Sequence, residues 1–290
     1  VTVPQLRVIV LAAQRKGITD PLATRFGVGL KCLVPLAGRA LISHVVESVA
    51  THPNVASVAI SVELEAFADI ANALNGLQSN GDLIHNVPAR DNLADSVIAA
   101  ARGHDGPIII TTADNVLLTH ASIDAIADAL RLHDVAIAMA PREAVLAAHA
   151  EGQRRFYRFR GGEYSNCNLY GLAGANALGA AEFFRGGGQF AKKASRIAGA
   201  FGLANLILLR LRVISLQEGL RRISRRIGLD IAPVILRDGS QAIDVDNDRT
   251  YAVVSALLGE RAGARSAACP DPAGCDPLTG LAPARSGSAA

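Results

Sequence analysis

The chain has 290 residues, half of them hydrophobic and 19% charged, a balance that supports a sizeable core and excludes wholesale disorder. A net charge of +3, no tryptophan and 4% aromatic residues argue against a nucleic-acid partner held by a basic surface or by base stacking. Four cysteines without a CxxC and seven scattered histidines argue against a disulfide framework and a Cys/His zinc site.

The elements follow in chain order. Residues 7–13 (RVIVLAA) form a short continuous apolar run, the pattern of a buried strand. Residues 14–30, with Gly17, Pro21, Gly27 and Gly29, read as one long loop, and loops of that length are usually functional or disordered. A helix is expected over 39–51, a strand over 55–62 and a helix over 63–77. A short strand follows at 83–86, then a helix over 91–102 capped by Asp91 or Asn92. PIIITT at 107–112 is a second buried strand, followed by a helix over 119–132 and a strand over 134–140. Strands alternating with helices predict an α/β fold whose mostly parallel sheet is sandwiched by helices. Ligands of such sheets bind outside the carboxyl ends of the strands, so residues 14–31 and 113–118 should share one edge.

The pattern changes after Pro141. RRFYRFR at 154–160 alternates at period two and meets Gly161-Gly162, which predicts a hairpin with 164–172. Residues 192–226 carry nine basic side chains and one acid, Glu218. Ser215-Leu216-Gln217-Glu218 is a capping box, and Leu216, Leu220, Ile223 and Ile227 share one helical face. Strands are expected at 229–236 and 242–245, then a helix over 247–258. From Gly259 the Ala/Gly/Pro/Ser composition predicts a disordered tail, 259–290. We read 1–258 as one domain, with 141–239 as an insert or subdomain. No apolar run approaches the ~18 residues of a transmembrane helix. The opening Val1-Thr2-Val3-Pro4 lacks a signal-peptide pattern, so a cytoplasmic location is expected.

Four groups of residues suit chemistry. Arg15, Lys16, Arg25 and Lys31 lie among glycines after the first strand, where backbone N–H groups and cationic donors can surround phosphate oxygens. The segment is neither a P-loop nor a GxGxxG fingerprint, and an ordinary solvated loop is the alternative. Thr111-Thr112-Ala113-Asp114-Asn115 puts a carboxylate just past a buried strand. Magnesium takes such oxygen ligands together with substrate phosphates; otherwise Asp114 caps a turn. Ile243-Asp244-Val245-Asp246-Asn247-Asp248 holds three alternate carboxylates. Neighbouring like charges bind a cation or shift their pKa values, while Asn247 or Asp248 also suits a helix cap. Lys192 and Lys193 lie in the basic stretch, which is either a solvated face or a contact for phosphate. With the apolar run 206–211 it also suits peripheral docking on an anionic membrane.

Taken together, residues 8–13, the basic glycine-containing loop and KCLVPLAGRALI at 31–42 resemble the opening of the MobA-like (molybdenum-cofactor guanylyl- and cytidylyltransferase-like) NTP transferases, whose pattern runs LAAG…R…PK.L..l.G.plI. IDVDNDRTY at 243–251 is similar to their distal D.D.PED segment. The likeness is closest over 7–139 and 240–258. It implies a GT-A-like, Rossmann-related fold and an Mg2+-dependent (or Mn2+-dependent) enzyme that transfers NMP from an NTP to a small phosphorylated acceptor, releasing pyrophosphate. It further implies that Lys31 contacts phosphate, that Asp114 is the first metal ligand, and that Asp246 or Asp244 is the second. Ala12, Ala13, Gln14, Arg15 and Lys16 would cradle the nucleotide's phosphates. Arg90, Asn92 and Ser96 would meet base and ribose, and Asn168, Lys192 and Lys193 would meet the acceptor. Where the family carries the LAAG glycine, this chain carries Gln14.

The chemistry fits the residues present. A phosphomonoester acceptor is already anionic at pH 7, so no general base is required and none is evident. Catalysis then rests on in-line positioning and on cations that neutralise the leaving pyrophosphate. One rival is a GT-A glycosyltransferase using a nucleotide sugar, since Asp244-Val245-Asp246 superficially matches DxD. The other is a non-catalytic nucleotide-binding regulatory protein, motivated by Gln14. The choice among CTP, GTP, UTP and ATP, the acceptor (cofactor precursor, sugar phosphate or polyol phosphate) and the oligomeric state stay open at this level.

Overall fold

The computed structural model describes residues 5–14, 17, 19–77, 83–184 and 213–268. An eight-stranded sheet forms its centre. The first strand, β1 (Leu6–Leu11), pairs in parallel with β4 (Val55–Val62) on one side and β6 (Ile108–Thr112) on the other. Beyond β4 lies β5 (Ile84–Pro88), also parallel. The ribbon of β2 (Pro35–Leu36) and β3 (Arg39–Ala40), which lies between β1 and β4 in the chain, is separate.

On the far side of β6 the expected hairpin forms, as β8 (Tyr157–Phe159) against β9 (Gly162–Leu172). β9 does not stay at an edge. It inserts antiparallel between β6 and β7 (Val135–Pro141), and β10 (Ile231–Ile235) closes the sheet beside β7. The sheet is thus mostly parallel, with one reversed strand through its middle. In β9 the pairing with β7 slips: Ile137 faces Tyr170 but Met139 faces Asn166. The extra residues bulge, and Asn168 takes a left-handed φ of 46° there. Such bulges re-aim a side chain.

Alternation along β1 assigns its two faces. Val8 and Val10 join a core with α2 (Leu41–Ala50) and α5 (His120–Ala129), through Ile42, Val45, Val46, Val49, Ile123 and Ile126. Ile9 joins a second core with α4 (Leu93–Ala101) and α7 (Leu216–Ile227), through Val97, Ala100, Leu216, Leu220 and Ile223. Each fully buried aliphatic chain of this size contributes roughly 1.5–3 kcal/mol of transfer free energy. Two helix caps agree with the sequence reading, Asn92 on α4 and Ser215 on α7, and Thr119 caps α5.

Four expectations need correction. The loop 14–30 contains a helix, α1 (Pro21–Phe26). Asp20 accepts from the N–H groups of Leu22 and Ala23, Pro21 stands at the first turn, and Gly27 closes the helix at φ 67°. The residues read as breakers are its caps. A helix after β7, α6 (Arg142–Ala148), was not foreseen. The strand expected at 242–245 is instead a 3-10 turn, Gly239–Ala242, followed by irregular chain. Its apolar residues are buried by packing rather than by sheet pairing. The last helix, α8, runs Asp248–Ala268, so the tail reading fails for 259–268. Arg261 ties that extension down by donating to the Leu117 carbonyl at 2.9 Å and to Ser240 Oγ at 2.7 Å. The rest of the tail, 269–290, lies outside the described residues. No helix among the described residues is long and apolar enough to cross a membrane.

Gly239 shows how tightly the 3-10 turn seats on α6. A Cβ there would lie 2.1 Å from the carbonyl carbon of Ala144 and 2.3 Å from the nitrogen of Val145. Both are backbone atoms and neither can rotate away. Gly239→Ala is therefore expected to lower stability by roughly 2–3 kcal/mol, the scale of overpacking in a close-packed interior. A urea midpoint equal to wild type would show that the turn can move off α6.

Candidate functional site

Three strands deliver polar residues to one edge. The chain leaves β1 at Ala12, Ala13 and Gln14, leaves β6 at Ala113 and Asp114, and carries Ser165, Asn166 and Asn168 within β9. These residues line a cleft of about 1150 Å³, together with Lys31, Asp244, Asp246 and Arg249. The location is the one that parallel-sheet topology predicts.

Lys31 begins the 3-10 turn Lys31–Leu33, and the buried Cys32 anchors that turn in the core. Its Nζ donates to Asp114 Oδ2 at 2.5 Å and to Asp246 Oδ1 at 2.8 Å. Burial alone would lower the lysine pKa, but Asp114 and Asp246 together hold it above the ordinary lysine range. Lys31 and Asp114 are each 18% exposed at the side chain, and Asp246 is 62% exposed. The ammonium thus sits between two carboxylates at the point where strands and helix converge.

The turn that carries Asp114 is fixed from both sides. The Ala113 N–H donates to the Leu11 carbonyl at 3.0 Å, and the Val245 N–H donates to the Asp114 carbonyl at 3.2 Å. The buried Asn115 donates from Nδ2 to Thr111 Oγ1 and to the Cys167 carbonyl, each at 3.1 Å. Thr250 Oγ1 accepts from the Asp246 N–H at 2.8 Å and so sets Asp246 at the start of α8. Asp244 is buried, and the Asn168 amide donates to its Oδ2 at 2.5 Å. The left-handed bulge is what turns Asn168 toward it. Burial, then the carboxylates Asp114 and Asp246, push the Asp244 carboxyl well above the usual range, and Lys31 and Asn168 offset this only in part.

Asp114 Oδ1, Asp244 Oδ1 and Arg249 Nη1 are buried without a hydrogen-bond partner. Buried charged groups left in that state are costly and call for an explanation. Two orphaned carboxylate oxygens beside a further carboxylate suit a hard cation that takes oxygen ligands. Among the described residues no three His, Cys, Asp or Glu side chains converge into a ready-made cage. Magnesium needs none, because it binds through one or two carboxylates and substrate phosphates. Cys32 offers no nucleophile, since burial, with Glu63 and Asp114 nearby, pushes its thiol up to about 12.

The other foreseen residues divide. Ala12, Ala13 and Gln14 line the cleft. Gln14 also clasps the ends of its loop, donating from Nε2 to the Gly29 carbonyl at 2.6 Å and from its N–H to Glu63 Oε1 at 2.7 Å. Of the segment 90–96, only Leu93 lines the cleft. Asn92 and Ser96 hold the turn into α4, with Ser96 Oγ accepting from the Arg90 N–H at 2.9 Å. Arg15, Lys16, Lys192 and Lys193 lie outside the described residues. Sequence reasoning missed Gln153, Arg154, Arg155 and Arg249, all at the cleft. The double arginine before the hairpin and the arginine inside IDVDNDRTY were the available signals.

A family model described as "MobA-like NTP transferase domain" matches residues 8–190. A hypothetical transferase from Thermus thermophilus has a similar structure, with TM-score 0.70, 24% identity, and 85% of this chain and 99% of that chain covered. CMP:2-keto-3-deoxy-manno-octonic acid synthetase, solved complexed with CTP, gives TM-score 0.56 at 13% identity over 89% of this chain and 99% of that one. 4-Diphosphocytidyl-2C-methyl-D-erythritol synthase from Anaerococcus prevotii gives 0.55 at 8% identity over 88% and 98%. At these identities the likeness is one of fold. No curated protein sequence matches the chain significantly.

Proposed function

The chain belongs to the MobA-like NTP transferase family, and from that premise we propose that this nucleotidyltransferase moves NMP from a magnesium-bound NTP to a small phosphorylated acceptor. The observation that carries the reading is Lys31 held between Asp114 and Asp246 at the carboxyl edge of β1 and β6. That arrangement supports a site in which carboxylates hold a cation and an ammonium meets the phosphates.

In the reaction a phosphate oxygen of the acceptor attacks the α-phosphorus of the NTP. A P–O bond forms there as the bond to the β-phosphate oxygen breaks, and pyrophosphate leaves with the electron pair. Magnesium, held by Asp114 and Asp246 with the unpartnered Asp244 Oδ1 as a further oxygen, would supply charge neutralisation for the phosphates. Lys31 turns from the carboxylates toward the triphosphate and offsets the charge that grows on the leaving oxygen. Ala12 and Ala13 line the cleft beside it. Asn168 and Asn115 act one step back, holding Asp244 and the turn of Asp114. A cytoplasmic setting, where NTPs are abundant, suits this chemistry.

Two features weigh against the alternatives. Asp244 and Asp246 do not act as a DxD pair, because one is buried against Asn168 and the other is exposed against Lys31. Gln14 has a structural role across its loop, so its presence is no sign of a degenerate site.

A thermal-shift panel tests the reading, with CTP, GTP, UTP, ATP, UDP-glucose and GDP-mannose, each with and without Mg2+. A ligand at 100 times its Kd stabilises the fold by about 2.7 kcal/mol. The expected result is a magnesium-dependent shift with one NTP. A shift with a nucleotide sugar alone would overturn NMP transfer in favour of glycosyl transfer.

A further inference from the structure

The cleft has a second charged wall that the Lys31–Asp114–Asp246 cluster does not use. Arg249 lies three residues beyond Asp246, in the first turn of α8. It is half-buried, and its Nη1 is fully enclosed with no hydrogen-bond partner. The loop before β8 brings Arg154 and Arg155 to the same cleft. Gln153 fastens that loop beside the 242–249 segment by donating from Nε2 to the Ala242 carbonyl at 3.3 Å. Arg154 is engaged by Glu151 at 2.8 Å. The hydrogen bond and charge of Arg154, with Arg249 further off, hold the Glu151 carboxyl below its usual range. Glu151 pairs with Arg154 alone, and neither Arg155 nor Arg249 forms an ion pair with a described residue.

Topology separates the loop that carries Arg154 and Arg155 from the nucleotide loop, and Arg249 reaches the cleft from the start of α8, whose Asp248 meets Arg25 of α1. In the sheet order β1–β6–β9, Asp114 stands at the end of the middle strand. Ala12, Ala13 and Lys31 lie on the β1 side of it, and the arginine-bearing loop leads into the hairpin on the β9 side. A nucleotide whose triphosphate rests on the β1 side leaves its α-phosphorus near Asp114, open toward the arginines. The nucleophile must approach in line from there.

We propose that Arg249 and Arg155, with Arg154 screened by Glu151, form the subsite for the acceptor's phosphomonoester group. The inference rests on the nucleotidyl-transfer reading and extends it, because it assigns to these arginines the role that Lys192 and Lys193 were expected to fill. The guanidinium fork matches tetrahedral phosphate oxygens in paired hydrogen bonds. An enclosed, unsatisfied Nη1 is a donor already desolvated for such a partner, whereas with no partner it is a standing cost. A dianionic phosphate answers this excess of positive charge better than a monoanionic carboxylate does.

Calorimetric titration of the full chain with glycerol 3-phosphate, D-glycerate and magnesium pyrophosphate separates the possibilities, using wild type, Arg249→Gln, Arg155→Gln and Lys31→Met. Glycerol 3-phosphate is expected to bind wild type and to weaken at least about tenfold in Arg249→Gln and several-fold in Arg155→Gln. It should change less than about twofold in Lys31→Met. Magnesium pyrophosphate, which stands in for the donor's leaving group, should show the opposite ranking. Arg249→Lys, which keeps the charge without the fork, should bind glycerol 3-phosphate with intermediate strength, and that guards against a variant that merely misfolds. Equal loss of both ligands in Arg249→Gln would assign the arginine to the triphosphate and overturn the subsite. So would equal affinity for glycerate, or no binding of glycerol 3-phosphate to wild type. Glycerol 3-phosphate binding without any pyrophosphate binding would uphold the subsite and count against the donor site instead.

Discussion

Asp114→Ala is expected to cut pyrophosphate release by about 10³-fold or more while leaving the fold intact. The magnitude follows from what the carboxylate does in the proposed reaction. Removing a single preorganised donor aimed at developing charge costs about 10²–10³-fold, and here the lost group would anchor the cation that meets that charge. Its position is determined by the sheet rather than by a mobile loop: Ala113 is hydrogen-bonded to the end of β1, and Asn115 ties the same turn to β9. Neither neighbour replaces it: Asp244 is pinned by Asn168, and Asp246, two residues before α8, already serves as the second ligand in the proposed site. Stability should move little, because two effects oppose each other. Lys31 loses its 2.5 Å partner, and Asp244 loses the like charge that most disfavours its ionisation. The check is steady-state pyrophosphate release together with a circular-dichroism melt. Turnover within tenfold of wild type, with the melt unchanged, would remove Asp114 from the metal site.

Much of this architecture can be read from local pattern, and the exceptions share a physical cause. β1, β4 and β6 announce themselves as short apolar runs, and α7 as a capping box followed by a one-sided apolar face, because those signals lie within a dozen residues. α1 was hidden because Pro21 and Gly27 have two meanings, as breakers inside a helix and as preferred residues at its ends. The 242–245 segment misled because Ala242, Ile243 and Val245 are buried without a strand partner, and burial alone mimics sheet pairing. The insertion of β9 between β6 and β7 is a long-range choice that no local window contains. The site divides in the same way. Composition and spacing mark Asp114 and the 244–248 run as carboxylates worth watching. Their meeting at Lys31 joins positions 83 and 215 residues apart; sheet topology placed 14–31 and 113–118 on one edge, but no local pattern carries the contact itself. Arg249 went unnoticed because on sequence it is one more charge in a helix's first turn; its enclosed Nη1 is a property of packing.

Lys31→Met should lower both stability and turnover, and magnesium should restore the first but not the second. In the structure described, the ammonium is the cation that Asp114 and Asp246 share. Breaking a buried pair by removing one partner costs about 3–5 kcal/mol. With Lys31 and Asp114 each 18% exposed and Asp246 62% exposed, solvent screening reduces that to roughly 2 kcal/mol. For a domain of this size the loss corresponds to a fall of about 4–8 °C in Tm without added metal. Magnesium and the ammonium compete for the same carboxylate oxygens, so their binding is linked. A site that has lost the lysine gains more from the metal, by the mass-action term that makes stability depend on ligand concentration. The Tm increment on adding Mg2+ should therefore be larger in Lys31→Met than in wild type. Turnover should stay down by about 10²-fold even at saturating Mg2+, because the metal can replace the lysine as a counter-ion but not as the donor facing the departing pyrophosphate. Equal Mg2+ increments in the two proteins would mean that lysine and metal do not share Asp114 and Asp246, and the cation would have to be sought elsewhere in the cleft.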